Sequence, residues 1–280
     1  MRQVTTDKIT DLVEKLCIEA NCVLTDDIFN CLKICRTTEK SPLGKNILNT
    51  LVENAQIAKD EIAPICQDTG MTVVFITIGQ DVHITGGSIE DAINEGVRRG
   101  YEKGYLRKSV VSDPLNRINT KDNTPAVIHY DIVPGDKLHI IVAPKGFGSE
   151  NMSGLKMLKP SQGLQGIKDF VIQTISDAGA NPCPPIIVGV GIGGTMEKSA
   201  YLSKKALLRP VGEKNPDPAL AALEEELLQS INQLGIGPAG FGGTTTALSV
   251  NILTYATHIA GLPVSVNIGC HATRHAEGDL

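Results

Sequence analysis

Apolar residues recur at helical spacing through the first part of the chain. Leu12, Leu16 and Ile18, then Ile28, Leu32 and Ile34, stand among polar residues and predict one or two helices over 5–36. Ile47, Leu48, Leu51, Ala55 and Ile57 mark the apolar side of another helix over 44–62, ending near Pro64. The pattern then changes period. Met71–Ile78 is a continuous apolar run, the signature of a buried strand, and Gly79 turns the chain into a short strand at 81–85. Gly86-Gly87-Ser88 breaks that strand. Ser88, with Asp91 three residues later, resembles an N-capping pattern opening a helix that carries Ile89, Ala92, Ile93 and Val97 toward Tyr101.

A polar segment follows from Arg107-Lys108-Ser109 to Pro125, in which Arg117, Lys121 and Asp122 are expected to be solvated. Ala126–Val133 and Lys137–Pro144 predict two antiparallel strands joined by the turn Pro134-Gly135-Asp136. Lys145–Ser153 is a glycine-bearing polar loop, and a helix is predicted over 162–178. Ile186–Gly194 reads as a buried strand ending in a glycine turn, followed by a helix over 195–207. Lys214–Pro218 leads into an acidic helix over 219–234, with Glu224-Glu225-Glu226 expected on its wet side. Thr244-Thr245-Thr246 is expected to open an apolar helix to about 260, and Pro263–Gly269 is a last strand delivering Cys270. No repeat of fixed period is present. The pattern predicts one α/β unit over 1–280, with mixed sheets, surrounding helices and a mainly helical stretch over 1–62.

Composition narrows the function classes. The 280 residues, 41% hydrophobic and 20% charged, are enough to bury a core. A net charge of −5 without a basic stripe, 4% aromatic residues and no Trp argue against nucleic acid as a partner. No run approaches the length of a membrane-spanning helix, so no membrane role is expected. The first residues lack the apolar core of a signal peptide, and seven cysteines make an odd number. Both point to a reducing, cytoplasmic location and to thiols used as ligands, nucleophiles or core filler.

The cysteines fall into two groups. Cys17, Cys22, Cys31 and Cys35 lie in the helical segments and read as core or partly buried thiols; Cys31 and Cys35, one turn apart, share a face. Cys66, Cys183 and Cys270 lie instead at strand edges, in Pro64-Ile65-Cys66-Gln67-Asp68-Thr69-Gly70, Asn181-Pro182-Cys183-Pro184-Pro185 and Gly269-Cys270-His271. Thiolates in such settings suit zinc or iron–sulfur clusters. Their wide separation leaves a joint metal site and separate structural thiols both open. Three thiolates would leave one metal position for water or substrate, the arrangement of a Lewis-acid catalyst, while His271 as a fourth ligand would close it.

The glycine runs carry less. Gly189-Val190-Gly191-Ile192-Gly193-Gly194 does not have the spacing of a dinucleotide fingerprint, and no acidic residue ends a strand about twenty residues on. Gly240-Phe241-Gly242-Gly243-Thr244-Thr245-Thr246 could hold a small carboxylate on its amides and hydroxyls, or be a plain tight turn. His258 is the least wet-looking histidine, and Arg107 is ambiguous between solvation and a role.

Ile65-Cys66-Gln67-Asp68-Thr69-Gly70, Asn181-Pro182-Cys183-Pro184-Pro185 and Asn267-Ile268-Gly269-Cys270-His271 resemble the cluster-binding segments of class I, iron–sulfur fumarate hydratases. Over nearly its whole length the chain is similar to their α subunit, the N-terminal part of the single-chain enzymes; the L-tartrate dehydratase α subunit shares these segments. The resemblance implies that Cys66, Cys183 and Cys270 hold a 4Fe–4S cluster with one open iron. It implies that Gln67, Asp68 and Arg107 contact substrate. Lys145–Ser153 is similar to a family substrate loop, with Phe147 replacing a glycine, and places Gly148 and Asn151 on contact positions. His258, twelve residues before Cys270, matches an active-site histidine.

The implied reaction is reversible hydration of fumarate to (S)-malate, with Asp68 and His258 orienting or exchanging protons near the leaving group and Arg107 gripping a carboxylate. The chain ends ten residues after Cys270. The resemblance therefore implies a hetero-oligomer in which a β subunit supplies further cationic residues and the base at carbon. Two rival classes are a non-catalytic cluster-carrying module, which would use a fourth ligand such as His271, and a metal-free enzyme holding an anion on its glycine loops.

Overall fold

The computed structural model describes residues 2–280. In chain order the elements are β1 (Arg2–Thr5), α1 (Thr6–Cys22), α2 (Asp26–Thr38), α3 (Pro42–Glu61), β2 (Met71–Gly79), β3 (Val82–Thr85) and α4 (Ile89–Lys103). Then come β4 (Val127–Val133), β5 (Leu138–Lys145), the short α5 (Phe147–Glu150), β6 (Gly154–Leu158) and α6 (Gly163–Ala178). The last are β7 (Ile186–Gly193), α7 (Met196–Ala206), α8 (Pro218–Gln233), β8 (Ala247–Tyr255), β9 (Leu262–Gly269) and β10 (Ala276–Asp279). This is an α/β fold with mixed sheets. No helix among the described residues is long and apolar enough to cross a membrane.

The chain divides into two units. The first holds the residues up to Thr25, Asn54–Phe147 and Arg274–Leu280; the second holds Asp26–Glu53 and Gly148–Thr273. In the first, a four-stranded sheet runs in the order β10-β5-β2-β4, with β2 antiparallel to β5 and parallel to β4. Val74, Ile76, Ile140 and Val142 from this sheet pack with Ile9, Val13 and Leu16 of α1 and Ile93, Val97 and Tyr101 of α4. Ser88 caps α4 as its sequence suggests, accepting from the Asp91 amide at 3.3 Å.

The expected hairpin between the strands at 126–133 and 137–144 does not form. Both strands exist, but β2 lies between them, pairing Val73 with Val127 and Val74 with Val142. Val73–Ile76 are buried in succession, and both edges of this strand are paired, with β4 on one side and β5 on the other. The Pro134-Gly135-Asp136 turn instead meets the end of β2: Gln80 N donates to Val133 O and Asp81 N to Gly135 O, at 2.8 and 2.9 Å.

The second unit holds a four-stranded sheet in the order β6-β9-β7-β8, with β7 parallel to β8 and antiparallel to β9. Ile167, Val171 and Ile175 of α6 and Leu223, Leu227 and Ile231 of α8 pack against Val188 and Val190 of β7. Strand alternation turns Gly189 and Gly191 to the opposite face, where α7 lies. There a Cβ on Gly191 would stand 2.0 Å from Ser199 O, and one on Gly189 2.1 Å from Ser203 O. The glycine run of β7 thus serves close helix–strand packing. Residues 247–255, expected as part of a helix, form β8, whose Ala247–Ile252 are all buried. A strand buried on both faces reads as a continuous apolar run that periodicity cannot tell from a buried helix.

Candidate active site

Cys66 sits in the turn between α3 and β2. The residue before it is pinned on both sides: Ile65 N donates to Asn21 O at 2.9 Å, and Asn54 Nδ2 donates to Ile65 O at 2.8 Å. The half-buried Cys66 thiol donates to Gln67 Oε1 at 3.3 Å, and the Asp68 amide reaches the sulfur at 3.5 Å. The Asp68 carboxylate is shared between two amides, Gly70 N to Oδ1 at 3.0 Å and Phe147 N to Oδ2 at 2.9 Å. Its main-chain oxygen accepts from Nη2 of Arg274, a buried guanidinium that sequence reading missed. Gly70 is required: at φ +76° a Cβ would lie 2.7–2.8 Å from the Lys145 backbone.

Behind the stretch lie buried polar side chains. Tyr101, fully buried on α4, donates its hydroxyl to Thr69 O at 2.7 Å and to Gly70 O at 3.2 Å. Burial pushes its phenol well above the ordinary value, so it stays a donor. Thr69 Oγ1 donates to Arg107 O at 3.1 Å, which ties the exposed Arg107 to the same stretch. Asn123, 0% exposed, donates to Gly70 O at 3.2 Å and accepts from Ser109 N and Val110 N at 2.8 and 3.3 Å. Gln67, Asp68 and Arg107 thus belong to one hydrogen-bonded assembly. Nearby, Asp122 is not simply solvated, for it pairs with Arg98 at 3.1 Å.

Cys183 and Cys270 meet at the other sheet. Register pairs Ile187 of β7 with Gly269 of β9, so the residues entering β7 and leaving β9 lie at one end of the sheet. His271 N and Nδ1 both reach Cys183 O, at 3.3 and 3.0 Å, which makes Nδ1 a donor. Cys183 has φ 55° and is exposed, followed by a cis Pro184–Pro185 peptide. The Cys270 carbonyl accepts from Thr273 N and Oγ1 at 2.9 and 2.8 Å.

Gly148 and Asn151, both exposed, lie on α5 and the turn after it. Their segment is fastened to β9 just before Cys270, where Ile268 N donates to Ser153 Oγ at 3.1 Å and Asn267 Nδ2 to Glu150 Oε2 at 3.0 Å. Glu150 also pairs with Lys204 of α7 at 2.5 Å. His258 departs from expectation. It lies in the exposed turn between β8 and β9, not near a buried helix end. Ala260 N donates to its Nδ1 at 3.2 Å, which leaves the proton of the neutral ring on Nε2.

The anion-binding reading of Gly240–Thr246 finds its carboxylate within the chain. Glu39, 1% exposed, accepts from Thr244 N at 2.9 and 3.0 Å, from Thr245 N at 2.8 Å and from Thr244 Oγ1 at 3.1 Å. Burial alone would raise this carboxyl, but donors from Ser41, Thr244 and Thr245 outweigh it and hold the pKa at about 2. The same loop supports Cys183, since Ala239 N donates to Pro184 O at 2.7 Å. The triple-glutamate run is not all wet either. Glu224 is buried, pairs with Arg209 at 2.6 Å and accepts from Ile252 N at 2.6 Å.

None of the seven cysteines forms a disulfide. Within neither unit, among the described residues, do three His, Cys, Asp or Glu side chains gather at single-ion distances. Cys31 and Cys35 lie half-buried on α2, while Cys17 and Cys22 are core. Cys66, Cys183 and Cys270 are each at least partly open to solvent and stand near strand ends, and thiolates are the side chains that iron–sulfur clusters take as ligands.

Comparison with known proteins agrees with the motifs. Residues 10–279 match the family model described as Fumarate hydratase (Fumerase). A putative L(+)-tartrate dehydratase subunit alpha of Methanocaldococcus jannaschii is 47% identical over 275 residues, covering 96% of each chain. The L(+)-tartrate dehydratase subunit alpha of Escherichia coli strain K12 is 35% identical over 283 residues, covering 100% of this chain and 92% of its own. With its cysteine segments and its full-length match, this chain belongs to the fumarate hydratase (Fumerase) family of hydro-lyases.

Proposed function

We propose that the chain is the α subunit of a cytoplasmic iron–sulfur hydro-lyase that reversibly hydrates fumarate to (S)-malate. The observation that carries this reading is the family match over 10–279, with Cys66, Cys183 and Cys270 standing at strand ends inside it. These three thiolates hold a 4Fe–4S cluster. When bound, the cluster would supply Lewis-acid chemistry that makes hydroxide a better leaving group. Arg107 pairs with a substrate carboxylate through a charge-assisted contact. Gln67 and Asp68 line the substrate, and the two amides on Asp68 fix the direction of its carboxylate. His258 offers its Nε2 proton to the leaving hydroxyl, and Gly148 and Asn151 contact the substrate.

Relatives named subunit alpha support a partner, so the base at carbon is assigned to a β subunit in a hetero-oligomer. Their names also favour a second reading, dehydration of L-tartrate by the same groups.

The test is anaerobic production of the chain with its partner, assaying iron, sulfide, the visible spectrum and turnover of fumarate and L-tartrate. Changing Cys66, Cys183 or Cys270 to Ser is expected to remove the cluster spectrum and at least a thousandfold of turnover. A cluster that survives all three changes would sink the ligand assignment. Full turnover by the chain alone would overturn the two-subunit reading, and a larger kcat/KM for L-tartrate than for fumarate would select the second substrate.

A further inference from the structure

Arg107 opens a segment with little regular structure. Only a single β-bridge, Val111 with Asn119, is found between the end of α4 and β4 among the described residues. A guanidinium that recognises a carboxylate loses affinity if its backbone wanders by an ångström. Something must therefore hold this segment against the Cys66 stretch, and the buried amide of Asn123 has the right connections. Its Oδ1 accepts from Ser109 N and Val110 N, two and three residues after Arg107, at 2.8 and 3.3 Å. Its Nδ2 donates to Gly70 O, two residues after Asp68, at 3.2 Å. The residue is 0% exposed and has φ 63°, a left-handed conformation that asparagine tolerates better than most residues.

We propose that Asn123 is the positioning residue that sets Arg107 against Gln67 and Asp68, and so sets the affinity of the site for its carboxylate substrate. The inference rests on the reading of Arg107 given above. The side chain must be an amide, because both edges of the group are used: an acceptor toward two N–H groups and a donor toward a carbonyl. A carboxylate of the same shape keeps the first function and turns an oxygen against Gly70 O.

The decisive variants are Asn123→Asp and Asn123→Ala in the assembled enzyme, with Arg107→Ala and the double change Asn123→Asp/Arg107→Ala. Asn123→Asp is expected to raise KM for fumarate and L-tartrate at least tenfold, with kcat within threefold and iron content unchanged. In the Arg107→Ala background it should add less than twofold. A general loss of fold would instead lower kcat and iron content together and add fully in both backgrounds, which would overturn the proposal. Hydrogen exchange separates the two ideas. Asn123→Ala should speed exchange of the Ser109 and Val110 amides at least tenfold, and unchanged exchange would refute the positioning role. Arg107→Ala with unaltered KM for both acids would instead refute the carboxylate role of Arg107.

Discussion

The two sheets have the same plan. In each, an inner strand is entered from a cysteine-bearing turn, lies parallel to one neighbour and antiparallel to the other, and an outermost strand is antiparallel to that second neighbour. The orders β10-β5-β2-β4 and β6-β9-β7-β8 match position by position. A helix comes after the inner strand in each, α7 directly after β7 and α4 after β2 with the short β3 between them. Yet the two cysteines are held by different means. The Cys66 stretch is held from behind by buried side chains, Tyr101 and Asn123, whose donors reach its carbonyls. The Cys183 turn is held mainly through backbone groups, with a left-handed Cys183, main-chain bonds from Ala239 and His271, glycines in β7 that admit α7, and one side-chain donor, the His271 ring. One plan therefore tolerates substitution in different places: side-chain changes should loosen the first site, and backbone or packing changes the second.

The largest effect is expected from Gly191→Ala. Its Cβ would be driven to 2.0 Å from Ser199 O and 2.7 Å from Ser203 N, atoms of a helix backbone that cannot turn aside. Overpacking of this kind should cost about 3 kcal/mol or more. Denaturant unfolding of the variant checks it. A loss below about 1 kcal/mol would show that α7 can shift, and the backbone-held description of the second site would fail.

Glu39→Gln tests a departure from that description, since here a buried side chain holds the second site's loop. A buried carboxyl held from its ordinary 4.5 down to about 2 contributes about 3 kcal/mol at neutral pH. The folded pKa lies below the unfolded one. The contribution is therefore complete above the unfolded pKa and is lost as pH falls through the folded value. Wild type and variant should differ most at neutral pH and converge as pH falls from 4.5 toward 2, measured by denaturant unfolding across pH. A gap that stays constant with pH would mean that Glu39 acts by shape alone.

Local rules read well from the sequence, and long-range partners did not. The longer helices, the cap at Ser88 and the strand character of β2 and β7 follow from periodicity and from one hydrogen bond within four residues, whereas α5 falls in a segment read as a loop and β8 in one read as a helix. The short strands β1, β6 and β10 have too few residues for a period to show. The turn at Pro134-Gly135-Asp136 was visible as a turn, but the strand inserted between its arms comes from elsewhere in the chain. Gly243-Thr244-Thr245 was legible as a place for a carboxylate, whereas Glu39, 205 residues before Thr244, was not legible as its owner. Glu224 read as solvated because its partner Arg209 is brought to it only by the fold. At the candidate site the three strand-edge thiols, Gln67 and Asp68 lay in suggestive motifs and Arg107 was singled out only through the family resemblance, while Asn123, Tyr101 and Arg274 had no such context. Nothing near them in sequence says that their partners are the carbonyls of residues 68–70.

Tyr101→Phe is the smallest change and bears most directly on the contrast between the sites. It keeps the ring in its buried place among α1 and α4 side chains and removes one hydroxyl. That hydroxyl is a single neutral donor to Thr69 O and Gly70 O, so the loss at neutral pH should be about 1 kcal/mol. Above pH 10 the comparison should change, because burial raises the Tyr101 pKa above its ordinary value of 10.0. The unfolded chain then releases this proton before the folded one does, so wild type loses stability as pH rises from the unfolded pKa toward the folded one. The phenylalanine ring of the variant has no proton to lose, and its deficit should shrink or reverse in that window. Unfolding at neutral and alkaline pH, with hydrogen exchange at the Gly70 amide, reads both effects. If the variant matches wild type at neutral pH and the Gly70 amide exchanges no faster, the Cys66 stretch does not depend on its buried hydroxyl. The two sites would then be held alike.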